Sequence, residues 1–379
     1  MASPPKKSRL TRAALAGAIA VVGSGAATAM IEGGSVAGAS VSRVRLLPPS
    51  DIPPTMNDAK LFGIRNAIHN ALRGRNVSAV NIEMVVNILA TYWLAGKAGM
   101  TEAANELGVE ANFEGPVVSS ATTQISLLQN LLATGVTGYF LSVIDPAAEV
   151  STIDSAVAKG IDVVAIDSPV PTTKAFIYVG SVNEEDGYAA GVAMKAALPG
   201  GGDVGILDGS LTASNAIERL QGFEAAIKGS NLTVTTTLND SGSATTAASN
   251  AATLVNNPNI KGIYGVYSYD GPAGATVVKA KGDTGKIKVI AADTDPTTLT
   301  FVKEGVIQDA IIQQPYMQGY LGVYITTAMK ILGKARTAAL LRPFETLSNG
   351  AEIIDTGVGT IDAANLAGYN KYNKEVGLG

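Results

Sequence analysis

From Val80 onward, short apolar runs alternate with helical periodicities at regular spacing, and few folds accommodate that order. Strand-like runs are Val80–Leu89, Ala111–Val118, Gly138–Ser142, Asp162–Ile166, Phe176–Val179, Asp203–Leu207, Leu232–Leu238, Gly262–Val266, Lys286–Ala291 and Ile307–Ile312. Helical runs lie between most of them, at Ala95–Leu107, Thr122–Ala133, Ala147–Lys159, Glu184–Ala197, Ala213–Lys228, Ala244–Asn256, Ala273–Ala280, Thr297–Glu304 and Tyr316–Leu332. Several helices stop at a glycine that tolerates the left-handed cap, as at Gly108, Gly160, Gly229 and Gly305. Apolar runs bounded by turn residues read as parallel strands covered on both faces. The fold class is therefore α/β, with doubly wound parallel sheets. Ten strands exceed one small doubly wound domain and imply two, with Phe176 to Ser181 as an expected crossing between them.

Ligands of such sheets collect outside the carboxyl ends of the strands. Two apolar runs end there on an aspartate and pass into a proline turn: Val163-Val164-Ala165-Ile166-Asp167-Ser168-Pro169 and Lys288-Val289-Ile290-Ala291-Ala292-Asp293-Thr294-Asp295-Pro296. Asp167 and Asp293 suit a small polar molecule, although aspartates in this context also cap helices and form turns. Tyr92 and Trp93 follow the first strand, where an aromatic face can stack on a sugar ring or pack at a strand–helix junction. Asp270, between a strand and the Gly271-Pro272 turn, is equally a cap or a ligand contact. Asp208 to Asn215 is a polar loop feeding a helix N-terminus, where unpaired N–H groups favour oxygen-rich ligands. Arg219, one turn into that helix, is open to an ion pair or to ligand contact. Gln313 and Gln314, before Pro315, can reach a ligand or satisfy backbone groups.

Composition removes most catalytic alternatives. The 379-residue chain has no cysteine and one histidine, His69, and a formal net charge of −4 with 16% charged residues. Thiol chemistry and cysteine-ligated zinc are excluded, a triad or histidine-rich metal site would rest on His69 alone, and nothing favours nucleic acid. Neither G-x-x-x-x-G-K-[ST] nor a strand followed by G-x-G-x-x-G occurs, so nucleotide binding is not expected, and no cofactor or metal is expected either. Lys6, Lys7, Arg9 and Arg12 precede the apolar run Ala13–Val22, and Ala27-Thr28-Ala29 offers a small-residue cleavage site. Residues 1–29 therefore read as an export signal, with an uncleaved anchor as the alternative. Residues 30–79 read as a Gly/Ala/Ser- and Pro-rich linker. Within it Leu61, Ile64, Ile68 and Leu72 are spaced for a short amphipathic helix.

From about Val80 to Gly359 the chain resembles the ribose-type periplasmic sugar-binding proteins of ABC importers, which have the type I periplasmic binding protein fold. The resemblance is carried by Ala165-Ile166-Asp167-Ser168, Glu218-Arg219-Leu220-Gln221-Gly222-Phe223, Tyr269-Asp270-Gly271-Pro272-Ala273-Gly274-Ala275, Ile290 to Pro296, Ile312-Gln313-Gln314-Pro315 and the order of elements. It implies two doubly wound lobes joined by a three-segment hinge, with the ligand held between them. The implied N-terminal lobe comprises 80–180 and 314–342, and the C-terminal lobe 181–313 and 343–379. The implied ligand contacts are Tyr92, Trp93, Asp167, Asp270, Asp293 and Gln313. The sequence departs from ribose binders at Ile217 and Ser168, where that family carries arginines, and in a first loop one residue shorter. Asn215 is a candidate partial replacement for a missing arginine.

The expected function is an extracytoplasmic, periplasmic solute-binding protein, not an enzyme. It would act as a monomer, capture a small polyhydroxylated ligand and deliver it to an ABC transporter permease, with a chemosensory receptor as a further partner. The alternatives are a lactose-repressor-type regulator, which needs a basic helix-turn-helix that residues 1–79 do not supply, and a sugar-processing enzyme using Asp167 with Asp293.

Overall fold

The computed structural model describes residues 58–375. The expected export signal at 1–29 and the first part of the expected linker, 30–57, lie outside the described residues. The chain first builds helix α1 (Asp58–Leu72), then β1 (Asn81–Val85), α2 (Tyr92–Leu107), β2 (Glu110–Glu114), α3 (Ala121–Leu131), β3 (Gly138–Leu141), α4 (Pro146–Ala158), β4 (Asp162–Ile166) and β5 (Tyr178–Gly180). It then crosses to a second lobe, comprising α5 (Asn183–Ala197), β6 (Gly202–Asp208), α6 (Ser214–Ile227), β7 (Leu232–Asn239), α7 (Ala244–Asn256), β8 (Ile260–Gly265), α8 (Asp270–Ala280), β9 (Lys288–Ala292), α9 (Pro296–Lys303) and β10 (Ile307–Ile312). Helices α10 (Pro315–Leu332) and α11 (Lys334–Leu341) and strands β11 (Thr346–Ser348) and β12 (Ala351–Asp355) return to the first lobe. Strand β13 (Gly359–Ile361) and helix α12 (Leu366–Glu375) finish on the second.

The seven-stranded sheet runs β11-β12-β5-β4-β3-β1-β2 and the six-stranded sheet β13-β10-β9-β8-β6-β7. Reading the first five strands of each lobe as 1 to 5, both follow the order 2-1-3-4-5, parallel throughout. This is a doubly wound order whose switch point lies between strands 1 and 3. Burial follows position in the sheet. Central β3 and β4 are buried at every residue, whereas edge strands β2 and β7 alternate between covered and exposed side chains.

Three crossings join the lobes, after Gly180, after Ile312 and after Asp355. They hydrogen-bond to one another. Thr356 N donates to the Gly180 carbonyl at 3.0 Å, and Gln314 Nε2 donates to the Thr356 carbonyl at 2.8 Å. A hinge bonded in this way can bend while its strands stay together.

Two expectations need correction. The boundary at 343 assigned everything after it to the C-terminal lobe, yet β12 pairs in parallel with β5 (Ile353 with Tyr178, Ile354 with Val179) and brings β11 with it. Strands as short as β11 and β13 carry too few residues to show an alternation. The expected linker also contains a structural element. α1 forms as its apolar spacing predicts, but Leu61, Ile64, Ile68 and Leu72 are buried in the core of the first lobe, together with Trp93 and Tyr324. Its polar face is anchored as well, because Arg65 Nη2 lies 3.1 Å from Glu106 Oε2, which also accepts the Tyr320 and Tyr324 hydroxyls at 2.5 and 2.6 Å. His69 Nδ1 is 3.3 Å from the Tyr324 hydroxyl, and burial followed by the Arg65 charge lowers its pKa. Ile64→Ala should therefore cost ~2–5 kcal/mol, as for a core residue. A urea-unfolding midpoint equal to wild type would return α1 to the linker.

Candidate functional site

The carboxyl ends of the two sheets meet across one cleft. Asp167 follows β4 and Asp293 follows β9, the fourth strand of each lobe. Both have left-handed backbone, φ 59° and 61°, which is uncommon outside glycine and best tolerated by Asp and Asn. Their amides donate to the neighbouring strand in the same way, Asp167 N to the Val179 carbonyl and Asp293 N to the Ile311 carbonyl. The two lobes thus present one carboxylate each by the same local device.

Asp167 is held from both sides. Its Oδ2 accepts from Ser142 Oγ of its own lobe at 2.7 Å and from Asn215 Nδ2 of the second lobe at 3.2 Å. Its Oδ1 lies 3.4 Å from the Tyr92 hydroxyl and 3.9 Å from Arg219 Nη2. Asp293 is less well served, with one hydrogen bond from Gln313 Nε2 to Oδ1 at 3.2 Å. Burial pushes the Asp293 carboxyl up to about 7; Arg219 opposes this, and Asp186 and Asp167 add to it. Asp167 is also raised by burial, against the pull of Arg219.

Among the described residues Arg219 is the one cation beside these carboxylates. It is 2% exposed, donates through Nη1 to the Val266 carbonyl at 3.0 Å, and places Nε 3.6 Å from Asp186 Oδ2. Its guanidinium carbon lies 5.9 Å from the Tyr267 ring centroid, a cation–π distance. Among the described residues Nε and Nη2 make no hydrogen bond; Nε faces Asp186 and Nη2 faces Asp167, each at ion-pair distance, and of these two acids only Asp167 lines the cleft. Close helix packing sets the position of this arginine. A Cβ on Gly187 of α5 would overlap the Arg219 carbonyl oxygen, and one on Gly222 of α6 would overlap that of Glu184, so glycine is required at both crossings.

Aromatic rings form the remaining walls. Tyr92 meets Trp93 edge-on, with centroids 4.8 Å apart and planes at 80°, and Trp93 Nε1 donates to Asn87 Oδ1 at 2.9 Å. Opposite them Tyr267 and Tyr269 stand at 70°, and the Tyr267 hydroxyl donates to Asn215 Oδ1 at 3.1 Å. At the rim Thr91 Oγ1 of the first lobe donates to Asp295 Oδ2 of the second at 2.6 Å. The cleft is narrow, and its lining comes from both lobes. Carboxylate acceptors, guanidinium and amide donors and aromatic faces can together bind hydroxyl groups and C–H faces.

Of the residues singled out in the sequence, Tyr92, Trp93, Asp167, Asn215, Asp293 and Gln313 line this cleft. Trp93 is also 1% exposed and belongs to the core, so only part of its ring borders the cleft. Asp270 is not among the lining residues. It opens α8, is fully buried, and turns Oδ2 back to accept the Tyr267 amide at 3.0 Å. Burial and then the Asp240 charge raise its pKa well above the carboxylate range. Its place in the cleft wall is taken by Tyr267, Ser268 and Tyr269. Asn87, Ile88, Ala90 and Arg219 complete the lining. Asn87 and the tyrosines sit just beyond the carboxyl ends of β1 and β8, so the strand-end rule that found Asp167 also reaches them. Ile217 lies exposed on α6 outside the cleft, and Ser168 is buried outside it.

A family model described as a periplasmic binding protein domain matches residues 82–335. The chain belongs to the periplasmic binding protein family. This binding protein is 24% identical to the D-ribose/D-allose-binding protein of Pseudomonas aeruginosa over 56% of this chain and 69% of that one. It is 25% identical to the D-allose-binding periplasmic protein of Escherichia coli, over 68% and 86%. Among solved structures it is similar to an ABC transporter solute-binding protein from Burkholderia graminis in complex with D-arabinose, with 29% identity and a TM-score of 0.69 over 77% of this chain and 98% of that one. It is also similar to a chain of the XylFII-LytSN complex, with 28% identity and a TM-score of 0.66 over 76% and 99%. The relatives are named for binding sugars rather than for turning them over.

Buried acids also give the binding protein a pH signature. Burial pushes Glu149, Asp186 and Asp208 each up to about 7. A carboxyl whose folded pKa exceeds its unfolded value holds its proton more tightly when folded. Its contribution is complete below the unfolded value of ~4 and is lost as pH rises through the folded one. The melting temperature should therefore fall by several degrees between pH 5 and pH 8. A scan that is flat or rising over this interval would mean these acids are ionised in the folded protein.

Proposed function

We propose that this chain is the extracytoplasmic receptor of a sugar importer, closing its two lobes on one monosaccharide or similar polyol and presenting it to an ABC permease. The observation that carries this reading is Asp167, a first-lobe carboxylate held by Asn215 and Arg219 of the second lobe. A ligand inserted among these groups contacts both lobes at once and so favours the closed arrangement. Asp167 and Asp293 accept from ring hydroxyls, the Arg219 guanidinium donates to a ligand oxygen, and Tyr92 with the edge of Trp93 faces the ring C–H groups. Sugar-named relatives and a D-arabinose complex among similar structures support the ligand class. The basic and apolar segments within residues 1–29 support export to the periplasm. Presentation to a sensor is the second reading, favoured by the similarity to XylFII and to a chain of the XylFII-LytSN complex.

A thermal-shift screen of the exported form against pentoses, hexoses and polyols tests the ligand class. A sugar at a hundred times its dissociation constant should add ~2.7 kcal/mol of stability. No shift from any member at millimolar concentration would remove sugars as the ligand.

A further inference from the structure

Behind the hinge lies a second cavity of about 270 Å³, separate from the sugar cleft. Its floor is apolar, formed by Val170, Phe176 and Ile177 of the β4–β5 connection and by Ile353 of β12. Its polar end comes from the second lobe, through Asn183 at the start of α5 and Glu218 of α6. Asn183 is 1% exposed; its Nδ2 donates to Glu218 Oε2 at 3.2 Å, and its Oδ1 is buried with no hydrogen-bond partner among the described residues. The two charged residues lining the cavity, Glu218 and Glu352, are both carboxylates. The β11–β12 wall lies beyond residues 82–335, the extent of the family match.

An apolar floor, an unfilled carbonyl acceptor and carboxylates without a lining cation together fit one chemistry. We propose that this cavity is a second ligand site, taking a small organic cation with an apolar body, and that its occupancy is coupled to closure of the cleft. The coupling has two sources. The cavity walls come from both lobes, so their separation changes as the hinge bends. Tyr178 of the cavity lining also links to the cleft residue Asp167: its hydroxyl lies 2.9 Å from the Asp167 carbonyl, 3.0 Å from that of Ser181 and 3.3 Å from Asn183 Nδ2.

The test uses 2-phenylethylamine as the cationic probe and phenylacetate as its anionic counterpart, each at millimolar concentration with the exported form of the protein. The amine should raise the melting temperature and the acid should not. The shift should disappear in Glu218→Gln, and also in Ala351→Trp, which fills the cavity from an exposed position on β12. Because Ala351 is exposed, that variant should fold even if Glu218→Gln does not. Saturating amine should also change the affinity of whichever sugar the cleft binds by at least threefold. Equal shifts from amine and acid, no shift from either, or an amine shift surviving in Ala351→Trp would overturn the site. An amine that binds without altering sugar affinity would overturn the coupling. The amine shift is independent of whether the cleft ligand is a sugar, since it is read without one, whereas the coupling rests on the proposed sugar-binding role.

Discussion

Arg219→Ala is expected to abolish ligand binding and to lower stability by ~3–5 kcal/mol at pH 8, the cost of breaking a buried ion pair by removing one partner. The guanidinium lies 3.9 Å from Asp167 and 3.6 Å from Asp186, and its charge opposes the rise of Asp293 as well. Without it three buried carboxylates face one another uncompensated. They have an escape in taking up protons, and Asp186 and Asp293 are pushed to about 7 even with the arginine present. The deficit should therefore shrink on acidification, with the variant recovering much of the loss by pH 5. Denaturant unfolding of both proteins at the two pH values measures this. A deficit of the same size at pH 5 and pH 8 would assign the arginine a packing role rather than an electrostatic one.

Asp293→Ala should have the opposite profile. Asp293 receives a single protein hydrogen bond, from Gln313, and burial disfavours its charge. Removing an under-satisfied buried acid should leave stability unchanged or slightly higher, the usual relation at a site kept for binding. Binding should weaken at least about a hundredfold, since each hydrogen bond to a charged group contributes ~1.5–3 kcal/mol and a sugar can place two hydroxyls on one carboxylate. Calorimetric titration with the sugar found by screening reads the affinity, and unfolding reads the stability. Wild-type affinity in a folded Asp293→Ala protein would remove this carboxylate from the site.

These two residues also mark what the sequence discloses. Asp293 and Asp167 are legible because an apolar run, an aspartate and a proline turn occur together, and strand ends are where α/β sheets bind ligands. The two-lobe architecture is legible from the repeated alternation of elements. Arg219 is harder, since its direction depends on how α6 rotates against α5, and that is set by Gly187 packing on the Arg219 backbone and Gly222 on the Glu184 backbone. Asp270 misleads for a related reason. Its neighbours fit a ligand-binding turn, but as the first residue of α8 its side chain turns back to the Tyr267 amide, and the tyrosines before it face the cleft. The β11–β12 hairpin is invisible because its short strands gain their stability from pairing with β5, a partner about 170 residues away in the chain. α1 is visible as a helix but not as part of the core, since amphipathic spacing does not say which surface the apolar face will meet.

The most direct measurement is the structure of the protein with its best-binding sugar. One sugar ring should lie in the cleft, with hydroxyls within hydrogen-bond distance of Asp167 in one lobe and of Asp293 and Arg219 in the other. A sugar bound outside the cleft, or one that touches a single lobe, would contradict capture by closure.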